Sequence, residues 1–359
     1  MAELPRLAGD LLGTLMEGIV IPAHPLALDA RRKFDERRQR ALTRYYLDSG
    51  AGGLAVGVHS TQFEIREPRY GLFQPVLALA AQTIDAWEQA HRGARRVVRI
   101  AGICGQTAQA VREAQLARET GYQVGLLSLG ALKGFSVKEL LDHAAIVARE
   151  IPLFGFYLQG AAGGIPLPYP FWRGFLDIPN VVGIKIAPFN RYQTLDVVRA
   201  LAESGRVEEV ALYTGNDDHI MLDLLSEYEI PANGRLHPIT IKGGILGHWA
   251  CWTSKAVALN ARCRQAREER IIPADLLALA AQVTDCNAAF FDAAHNFTGA
   301  LSGINEVLYR QGLLESNVCL NENERLSPGQ MEAINRVYHA YPDLNDDEFV
   351  AQNLDYWLE

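Results

Sequence analysis

Short apolar runs and longer amphipathic stretches alternate along most of the chain. The short runs are rich in valine, isoleucine and leucine, which is typical of strands buried on both faces of a sheet. Eight such runs occupy residues 18–22, 53–58, 97–103, 123–128, 153–158, 181–187, 210–214 and 239–246. Stretches with apolar residues at helical spacing separate most of them, so the pattern predicts parallel βα units.

Consecutive βα units of this number predict a TIM (β/α)8 barrel, an α/β fold that accommodates a chain of 359 residues. An open doubly wound sheet is the main competing architecture. It would usually place a glycine-rich phosphate turn after the first strand, but residues 22–25 read Pro-Ala-His-Pro. We therefore predict a catalytic barrel domain over residues 1–270, with residues 249–270 as its last helix.

Beyond residue 270 the pattern is helical only. Further helices are expected in residues 274–297, 300–311 and 330–341, separated by proline and glycine turn signals. The chain then ends in an acidic tail that carries two aromatic residues, Tyr356 and Trp357. We expect residues 271–359 to form a C-terminal helical appendage.

The sixth apolar run, residues 181–187, contains Lys185. Burying an ammonium group without a partner is costly, and the protein can offset that cost by keeping the amine neutral. A neutral amine is a nucleophile, so this run predicts a lysine that forms a Schiff base with a carbonyl substrate. The alternative is a lysine at a strand end that reaches solvent or pairs with a carboxylate. The run alone supports both.

In a barrel of this type the active site lies at the carboxyl ends of the strands. That rule selects residues 59–61, 215–217 and 244–248 together with Tyr157 and Lys185. Of these, the candidate site residues are His59, Ser60, Thr61, Tyr157, Lys185, Gly215 and Ile245. Lys185 and Tyr157 fall on neighbouring strands, so we expect the amine and the phenol to face one pocket. A Schiff-base enzyme needs such a proton shuttle beside its nucleophile. Asp217 and Asp218 follow the seventh strand, where we expect them to cap the next helix.

Composition and charge exclude several classes of function. The net charge of −8, without any basic block, argues against a nucleic-acid partner. No apolar run reaches the roughly 18 residues that cross a bilayer, and the first residues lack the layout of a secretion signal. Five scattered cysteines without a C-x-x-C pair fit reduced thiols in a cytoplasmic protein. His219 and His248 have no third ligand at metal spacing, so no metal site is predicted.

Residues 178–185 end in Gly183-Ile184-Lys185. This segment resembles the Schiff-base lysine segment of the dihydrodipicolinate synthase and N-acetylneuraminate lyase family of class I aldolases, and the resemblance extends from about residue 18 to about residue 326. It implies that Lys185 is the nucleophile. It also implies that Tyr157, 28 residues earlier, is the catalytic tyrosine. Neither a metal nor an organic cofactor is implied.

Residues 59–62 stand where that family has a Gly-Thr-Thr-Gly-Glu loop, whose N–H groups hold the substrate carboxylate. The resemblance implies that Ser60 or Thr61 is the relay hydroxyl, with the choice left open, and that His59 contacts the substrate. The segments around Gly215 and Ile245 are similar to family segments that line the pocket, so both residues are expected to bind substrate.

Several departures concern the second substrate. The synthase of the family has an arginine shortly after its tyrosine, whereas residues 160–164 here read Gly-Ala-Ala-Gly-Gly. Residues 129–133 also lack the tyrosine that the synthase lends to a neighbouring subunit. Residues 170–172, Pro-Phe-Trp, faintly resemble the hydratase-aldolase branch of the family.

We therefore expect a lyase that condenses, cleaves or dehydrates a pyruvate-like 2-oxo acid without a cofactor. The resemblance and the appendage imply a homo-oligomer, a dimer or a tetramer. One alternative is 4-hydroxy-tetrahydrodipicolinate synthase itself, the enzyme of lysine biosynthesis. An alternative of another class is a catalytically silent barrel that binds a small metabolite.

Overall fold

Parallel strands form the centre of the molecule in the computed structural model, which describes residues 3–359. The strands are β1 Val20–Pro22, β2 Gly53–Val56, β3 Val98–Ile103, β4 Val124–Leu127, β5 Leu153–Leu158, β6 Val181–Ala187, β7 Ala211–Thr214, β8 Glu227–Ala232, β9 Arg235–Thr240 and β10 Gly243–Leu246. Eight of them form one sheet in the spatial order β1-β10-β7-β6-β5-β4-β3-β2. A parallel bridge between Ala23 and Ala55 joins its two edges. The predicted TIM barrel is confirmed.

Helices surround the barrel and follow its strands. They are α1 Gly9–Glu17, α2 Glu36–Asp48, α3 Phe73–Ala90, α4 Thr107–Glu119, α5 Val137–Val147, α6 Tyr169–Phe175, α7 Arg191–Ser204, α8 Ile220–Leu225, α9 Thr253–Glu268, α10 Ala274–Phe290, α11 Ala300–Arg310, α12 Gln330–Ala340 and α13 Asp347–Leu358. Local chemistry sets several starts: Ser136 and Glu139 form a capping box at α5. At α7 the Asn190 side chain accepts hydrogen bonds from two backbone N–H groups. Among the helices of residues 3–359, none combines the length and the apolar character needed to cross a membrane.

Side chains alternate between the two faces of each barrel strand, as the pleat requires. The inward set fills the barrel interior and includes Ile21, Ala55, Ile100, Leu126, Phe154, Phe156, Tyr213 and Ile245. Helix α1 covers the amino-terminal end of the barrel, where its Leu11 and Leu15 join this interior cluster. The Tyr213 hydroxyl donates to the Leu15 carbonyl oxygen at 2.9 Å. The barrel is therefore closed at this end, which leaves the carboxyl end of the strands as its mouth.

The connection between α8 and β10 differs from the sequence-based prediction. The run of residues 239–246, predicted as one strand, is divided between β9, which ends at Thr240, and β10, which begins at Gly243. Helix α8 ends at Leu225, and β8 and β9 pair as an antiparallel hairpin outside the barrel. Asn233 and Gly234 form its turn with positive φ angles of 52° and 76°. An Asn-Gly pair between short apolar runs is the usual signal of such a hairpin, and it was present in the sequence.

The C-terminal helices pack on the barrel, and the acidic tail is folded. Helix α13 lies against α2, with Trp357 fully buried between them. The indole N–H groups of Trp357 and Trp87 each donate to the Asp48 carboxylate at 2.6 Å. Before α13, Asp346 accepts hydrogen bonds from Tyr45 of α2 and Ser254 of α9. The division of the chain at residue 270 stays a prediction.

Replacing Trp357 with alanine should lower the free energy of unfolding by about 3–5 kcal/mol, because it empties a fully buried indole site and leaves half of Asp48 unpaired. Tyr356→Ala is the matched control, since that ring is 62% exposed and its loss should change stability by less than about 0.5 kcal/mol. Urea unfolding monitored by circular dichroism measures both. Equal midpoints for the two variants would contradict the described docking of α13.

Candidate active site

A cavity of about 390 Å³ opens at the carboxyl end of the barrel strands. Its inner wall comes from the barrel and includes Ser60, Lys185 and Asp217. Its outer wall comes from the C-terminal region and includes Phe297 and Glu324. The cavity therefore lies where a barrel of this type places its active site.

Lys185 extends from β6 into this cavity. On the strand it pairs with Phe156 of β5 and Tyr213 of β7, whose side chains both belong to the barrel interior. The side chain is only 7% exposed, and its Nζ atom lies 4.4 Å from the centre of the Phe156 ring. No carboxylate oxygen of residues 3–359 lies within 4.0 Å of Nζ. The alternative in which this lysine forms a strand-end ion pair is therefore not what the structure contains.

Burial lowers the pKa of Lys185 to about 8, and the nearby charge of Asp217 opposes that shift. A lysine with this pKa has a much larger neutral fraction near pH 7 than one in water, whose pKa is about 10.4. The side chain therefore combines access to a cavity with a neutral fraction of about a tenth at pH 7, and the neutral amine is the nucleophilic form.

Gly215 makes room for the lysine. A Cβ atom at this position would lie 2.5 Å from Cε of Lys185 and 2.8 Å from Cβ of Ala187. Neither distance is compatible with van der Waals radii, so any larger residue would displace the lysine side chain. Gly215 also lines the cavity, as expected from the sequence.

The loop after β7 is fixed by a buried carboxylate. Asp223 of α8 accepts hydrogen bonds from the Thr214 hydroxyl at 2.7 Å and from the Asn216 side-chain amide at 2.9 Å. Arg191 of α7 neutralises the same carboxylate at 2.7 Å. Because both oxygens of this carboxylate accept hydrogen bonds, the loop that carries Gly215 is held in one conformation.

The two hydroxyl groups after β2 occupy different places. Ser60 lines the cavity, and its hydroxyl donates to the Ala23 carbonyl oxygen at 2.7 Å. Thr61 is fully buried behind it, where its hydroxyl donates to the His24 carbonyl and accepts from the N–H groups of Gly57 and Val58. Of the two candidates, Ser60 alone reaches the cavity, and Thr61 holds the turn.

His59 also lines the cavity beside Ser60. Burial, aided by the charge of Lys185, lowers its pKa to about 4, so its imidazole is neutral near pH 7. The backbone N–H groups of His59 and Ser60 have no hydrogen-bond acceptor within residues 3–359. Adjacent backbone donors of this kind can bind an anionic oxygen.

Tyr157 does not face the cavity, so the expectation that its phenol shares a pocket with Lys185 is wrong. The ring lies on the outer face of β5 and packs on Trp172 of α6, with ring centres 5.3 Å apart. Burial raises the pKa of its hydroxyl. The inward position opposite Lys185 belongs to Phe156, which has no hydroxyl. Adjacent residues of a strand point to opposite faces, so a shift of one residue along β5 places a phenyl ring, and not a phenol, on the face that carries Lys185.

Ile245 of β10 is fully buried in the apolar interior of the barrel and does not line the cavity. The sequence placed it correctly near the carboxyl end of its strand. Its side chain therefore supports the barrel interior rather than a substrate.

Asp217 was selected by its position after the seventh strand, but the sequence analysis assigned it no role in the site. It was expected to cap a helix, but α8 has His219 at its N-cap and no side-chain cap. Asp217 instead lines the cavity, 6% exposed, and its Oδ1 atom accepts from the His248 N–H at 3.0 Å. Burial raises its pKa to about 7, against the opposing effects of that N–H group and of Lys185. Its position directly after β7 was the signal that could have identified it.

The C-terminal region closes much of the mouth. Phe297 meets Phe189, from the loop after β6, edge to face with ring centres 5.5 Å apart. Three non-glycine residues in this covering segment, Asp292, Asn296 and Phe297, have positive φ angles of 53–67°. Such backbone is costly and persists where surrounding contacts fix it. Nothing in the local sequence pattern indicated that this region reaches the site.

No protein-family model and no curated protein sequence matches this chain. Solved structures match it well, however. Dihydrodipicolinate synthase from Oceanobacillus iheyensis superposes with a TM-score of 0.73 at 14% identity, over 93% of this chain and 99% of that one. N-acetylneuraminate lyase from Fusobacterium nucleatum, complexed with pyruvate, gives 0.68 at 15%, over 91% and 98%.

A third match is a prophage protein of the dihydrodipicolinic acid synthase family from E. coli K12, in complex with pyruvate. Its TM-score is 0.70 at 16% identity, over 91% of this chain and 98% of that one. Identities at this level establish the fold and leave the chemistry to be argued from the site. The chain has the fold of the dihydrodipicolinate synthase and N-acetylneuraminate lyase structures, and at the level of the fold the resemblance noted in its sequence is confirmed.

Proposed function

We propose that this protein is a lyase that forms a Schiff base between Lys185 and a pyruvate-like 2-oxo acid. The observation that carries the proposal is the buried amine of Lys185, which faces a cavity and has no carboxylate within 4.0 Å. A structural lysine buried to this degree would need an ion-pair partner to offset its desolvation. A nucleophilic lysine is more reactive without an ion-pair partner, because such a partner would keep its amine protonated.

The cavity also suits the carboxylate of such a substrate. The free N–H groups of His59 and Ser60 can donate to one end of a 2-oxo acid while its keto carbon meets Nζ of Lys185. Two of the similar structures, the lyase from Fusobacterium nucleatum and the E. coli prophage protein, contain pyruvate. Their common fold supports the same class of substrate here.

In the proposed reaction the neutral amine attacks the keto carbon, and loss of water gives a protonated imine. This imine withdraws electrons from the adjacent carbon, so that a proton or an aldehyde can leave it and an enamine results. In the condensation direction, the enamine carbon attacks the carbonyl carbon of the same or another aldehyde. Hydrolysis of the imine releases the product and the free lysine.

The cavity favours this general lyase activity over the lysine-pathway synthase. Ala161 and Ala162 line the wall at the segment where the synthase of the resembled family has its arginine, and no arginine of residues 3–359 lines the cavity. A carboxylated second substrate would therefore be desolvated without a cationic partner. An aldehyde without a carboxylate suits this part of the cavity better, because it needs no cationic partner there.

Incubation with pyruvate and sodium borohydride should leave a reduced adduct on Lys185, detected by peptide mass spectrometry. Lys185→Ala should form none, because the nucleophile is gone. Lys138→Ala is the matched control, since that lysine is 85% exposed and pairs with Asp142 on the surface. An unmodified Lys185 across a panel of 2-oxo acids would contradict the proposed function and favour a barrel that only binds a metabolite.

Tyr157→Phe should retain the rate of pyruvate adduct formation within about threefold, because its phenol lies outside the cavity. If the phenol moved protons in the reaction, its removal would instead lower the rate by about 10²–10⁴-fold. Stopped borohydride trapping at short times measures the rate. Gly215→Ala is the contrasting variant and should slow trapping strongly, since the new methyl group takes the space of Cε of Lys185.

Lys185 should become reactive at lower pH than a surface lysine. Its amine is protonated below its pKa of about 8 and neutral above it, so acetylation should rise with a midpoint near pH 8. Lys138 has its pKa raised by the Asp142 carboxylate, so its acetylation should rise at clearly higher pH. Competitive labelling with acetic anhydride, followed by mass spectrometry, compares both in one sample. Coinciding profiles would contradict the depressed pKa.

A further inference from the structure

We propose that Asp217 is the acid–base catalyst of this site, the group that donates and removes protons around the Schiff base. This inference rests on the proposed function and assigns a role for which the sequence indicated Tyr157. It follows from the position of Asp217 in the cavity and from the exclusion of the other side chains there.

The chemistry requires such a group. When the carbinolamine loses its hydroxyl, a proton must reach the departing oxygen, since hydroxide is a poor leaving group. When the imine becomes an enamine, a base must remove a proton from the adjacent carbon. One carboxyl group can do both, because the carboxylate left by the first step is the base for the second.

Most polar side chains at the cavity cannot fill this role. The β5 residue that faces Lys185 is Phe156, which carries no proton to exchange. Ser60 already donates its hydroxyl hydrogen to the Ala23 carbonyl. His59 is neutral with a pKa of about 4, so it has no acidic proton to give near pH 7. Glu324 belongs to the outer wall contributed by the C-terminal region.

Asp217 is positioned for it by the backbone. Its N–H donates to the carbonyl of Gly215 at 3.1 Å in a tight turn, and a Cβ atom on that glycine would lie 2.5 Å from Cε of Lys185. His248 N–H holds Oδ1 at 3.0 Å, while Oδ2 has no hydrogen-bond partner within residues 3–359. One oxygen therefore orients the carboxyl group, and the other remains available to a substrate.

Asp217 and Lys185 do not form a direct ion pair. Both groups line the cavity, yet their charged atoms are more than 4.0 Å apart. A direct ion pair would hold the lysine protonated and fill the space between them. The gap instead leaves room for the carbinolamine oxygen between acid and amine. The raised pKa of Asp217 keeps a fraction of it protonated near pH 7.

The steps balance as follows. Nζ of Lys185 forms a bond to the keto carbon, and the nitrogen proton passes to the new alkoxide. The Asp217 carboxyl donates its proton to that hydroxyl, the C–O bond breaks, and water leaves. The resulting carboxylate takes a proton from the adjacent carbon, whose C–H electrons form the enamine double bond while the imine π electrons move to nitrogen. In condensation, the same carboxyl then protonates the alkoxide that forms from the aldehyde.

Asp217→Asn tests this assignment, because the amide keeps an oxygen acceptor for His248 N–H but cannot exchange a proton. In D2O, the wild-type protein should exchange the methyl protons of pyruvate, observed by proton NMR. The variant should exchange them about 100-fold more slowly or worse. Borohydride should still trap pyruvate on Lys185 after long incubation, which shows that the nucleophile and its binding site remain.

A second readout distinguishes an acid–base role from a structural one. The Asp217 charge raises the pKa of Lys185, so its removal should move the acetylation midpoint of Lys185 to lower pH. The other titratable groups around the pair are His59, His248, Asp218 and Glu324. Asp217→Glu, which restores the carboxylate, should recover part of the exchange rate and move the midpoint back upward.

Asp218→Asn is the matched control, since that carboxylate lies next in the chain, faces Arg191 at 3.8 Å and does not line the cavity. It should exchange methyl protons at the wild-type rate. Exchange by Asp217→Asn within about threefold of wild type, or an equal loss in Asp218→Asn, would overturn the assignment while the trap on Lys185 upholds the proposed function. A wild-type protein that traps no 2-oxo acid would overturn both.

Discussion

The desolvated amine of Lys185 is the constraint on which the rest of the site depends. An amine 7% exposed without an ion-pair partner is stable in the folded protein only if it is largely neutral or faces other compensating groups. The surrounding residues meet this condition. The Phe156 ring lies beneath Nζ, the Asp217 charge acts from beyond ion-pair distance, and Gly215 removes the atoms that would push the side chain aside. The reactivity proposed for Lys185 thus depends on burial more than on any single contact.

The sequence predicted the barrel because its evidence is periodic. Runs such as residues 98–103 and 181–187 are buried on both faces, so they read as strands without knowledge of their neighbours. The hairpin of residues 227–240 was not predicted, although Asn233-Gly234 is a signal for its turn, because the short helix α8 leaves little periodic pattern before it. The packing of the acidic tail against α2 was not predicted, for a different reason. Its helix is stabilised by Trp357 on Asp48, more than 300 residues away in the chain, and local pattern carries no information about such a contact.

The sequence identified the strands that carry the site, but it did not identify which side chains on them face the cavity. Lys185, Ser60, His59 and Gly215 reach the cavity because position after a strand is nearly sufficient to put a residue at the mouth. The prediction for Tyr157 is wrong because successive side chains of a strand point to opposite faces. Phe156 and Tyr157 therefore place one aromatic ring on each face of β5. Spacing along the chain cannot resolve one residue when the pairing of β5 with β6 shifts between Leu153 and Phe154. Register is fixed only by the assembled sheet.

Replacing the phenol by a phenyl ring at the inward position has a consequence for the whole pocket. Phe156 cannot move a proton, but its π face lies under Nζ, and a ring stabilises a cation there by about 0.5–2 kcal/mol. In the proposed reaction that stabilisation applies to the ammonium and also to the positively charged imine that replaces it. The proposed proton transfer then falls to a group outside β5, and the loop after β7 offers a carboxyl whose conformation is fixed through Asp223 and the His248 N–H. The proposed chemistry thus divides cation stabilisation and proton transfer between β5 and the loop after β7, on the two sides of β6.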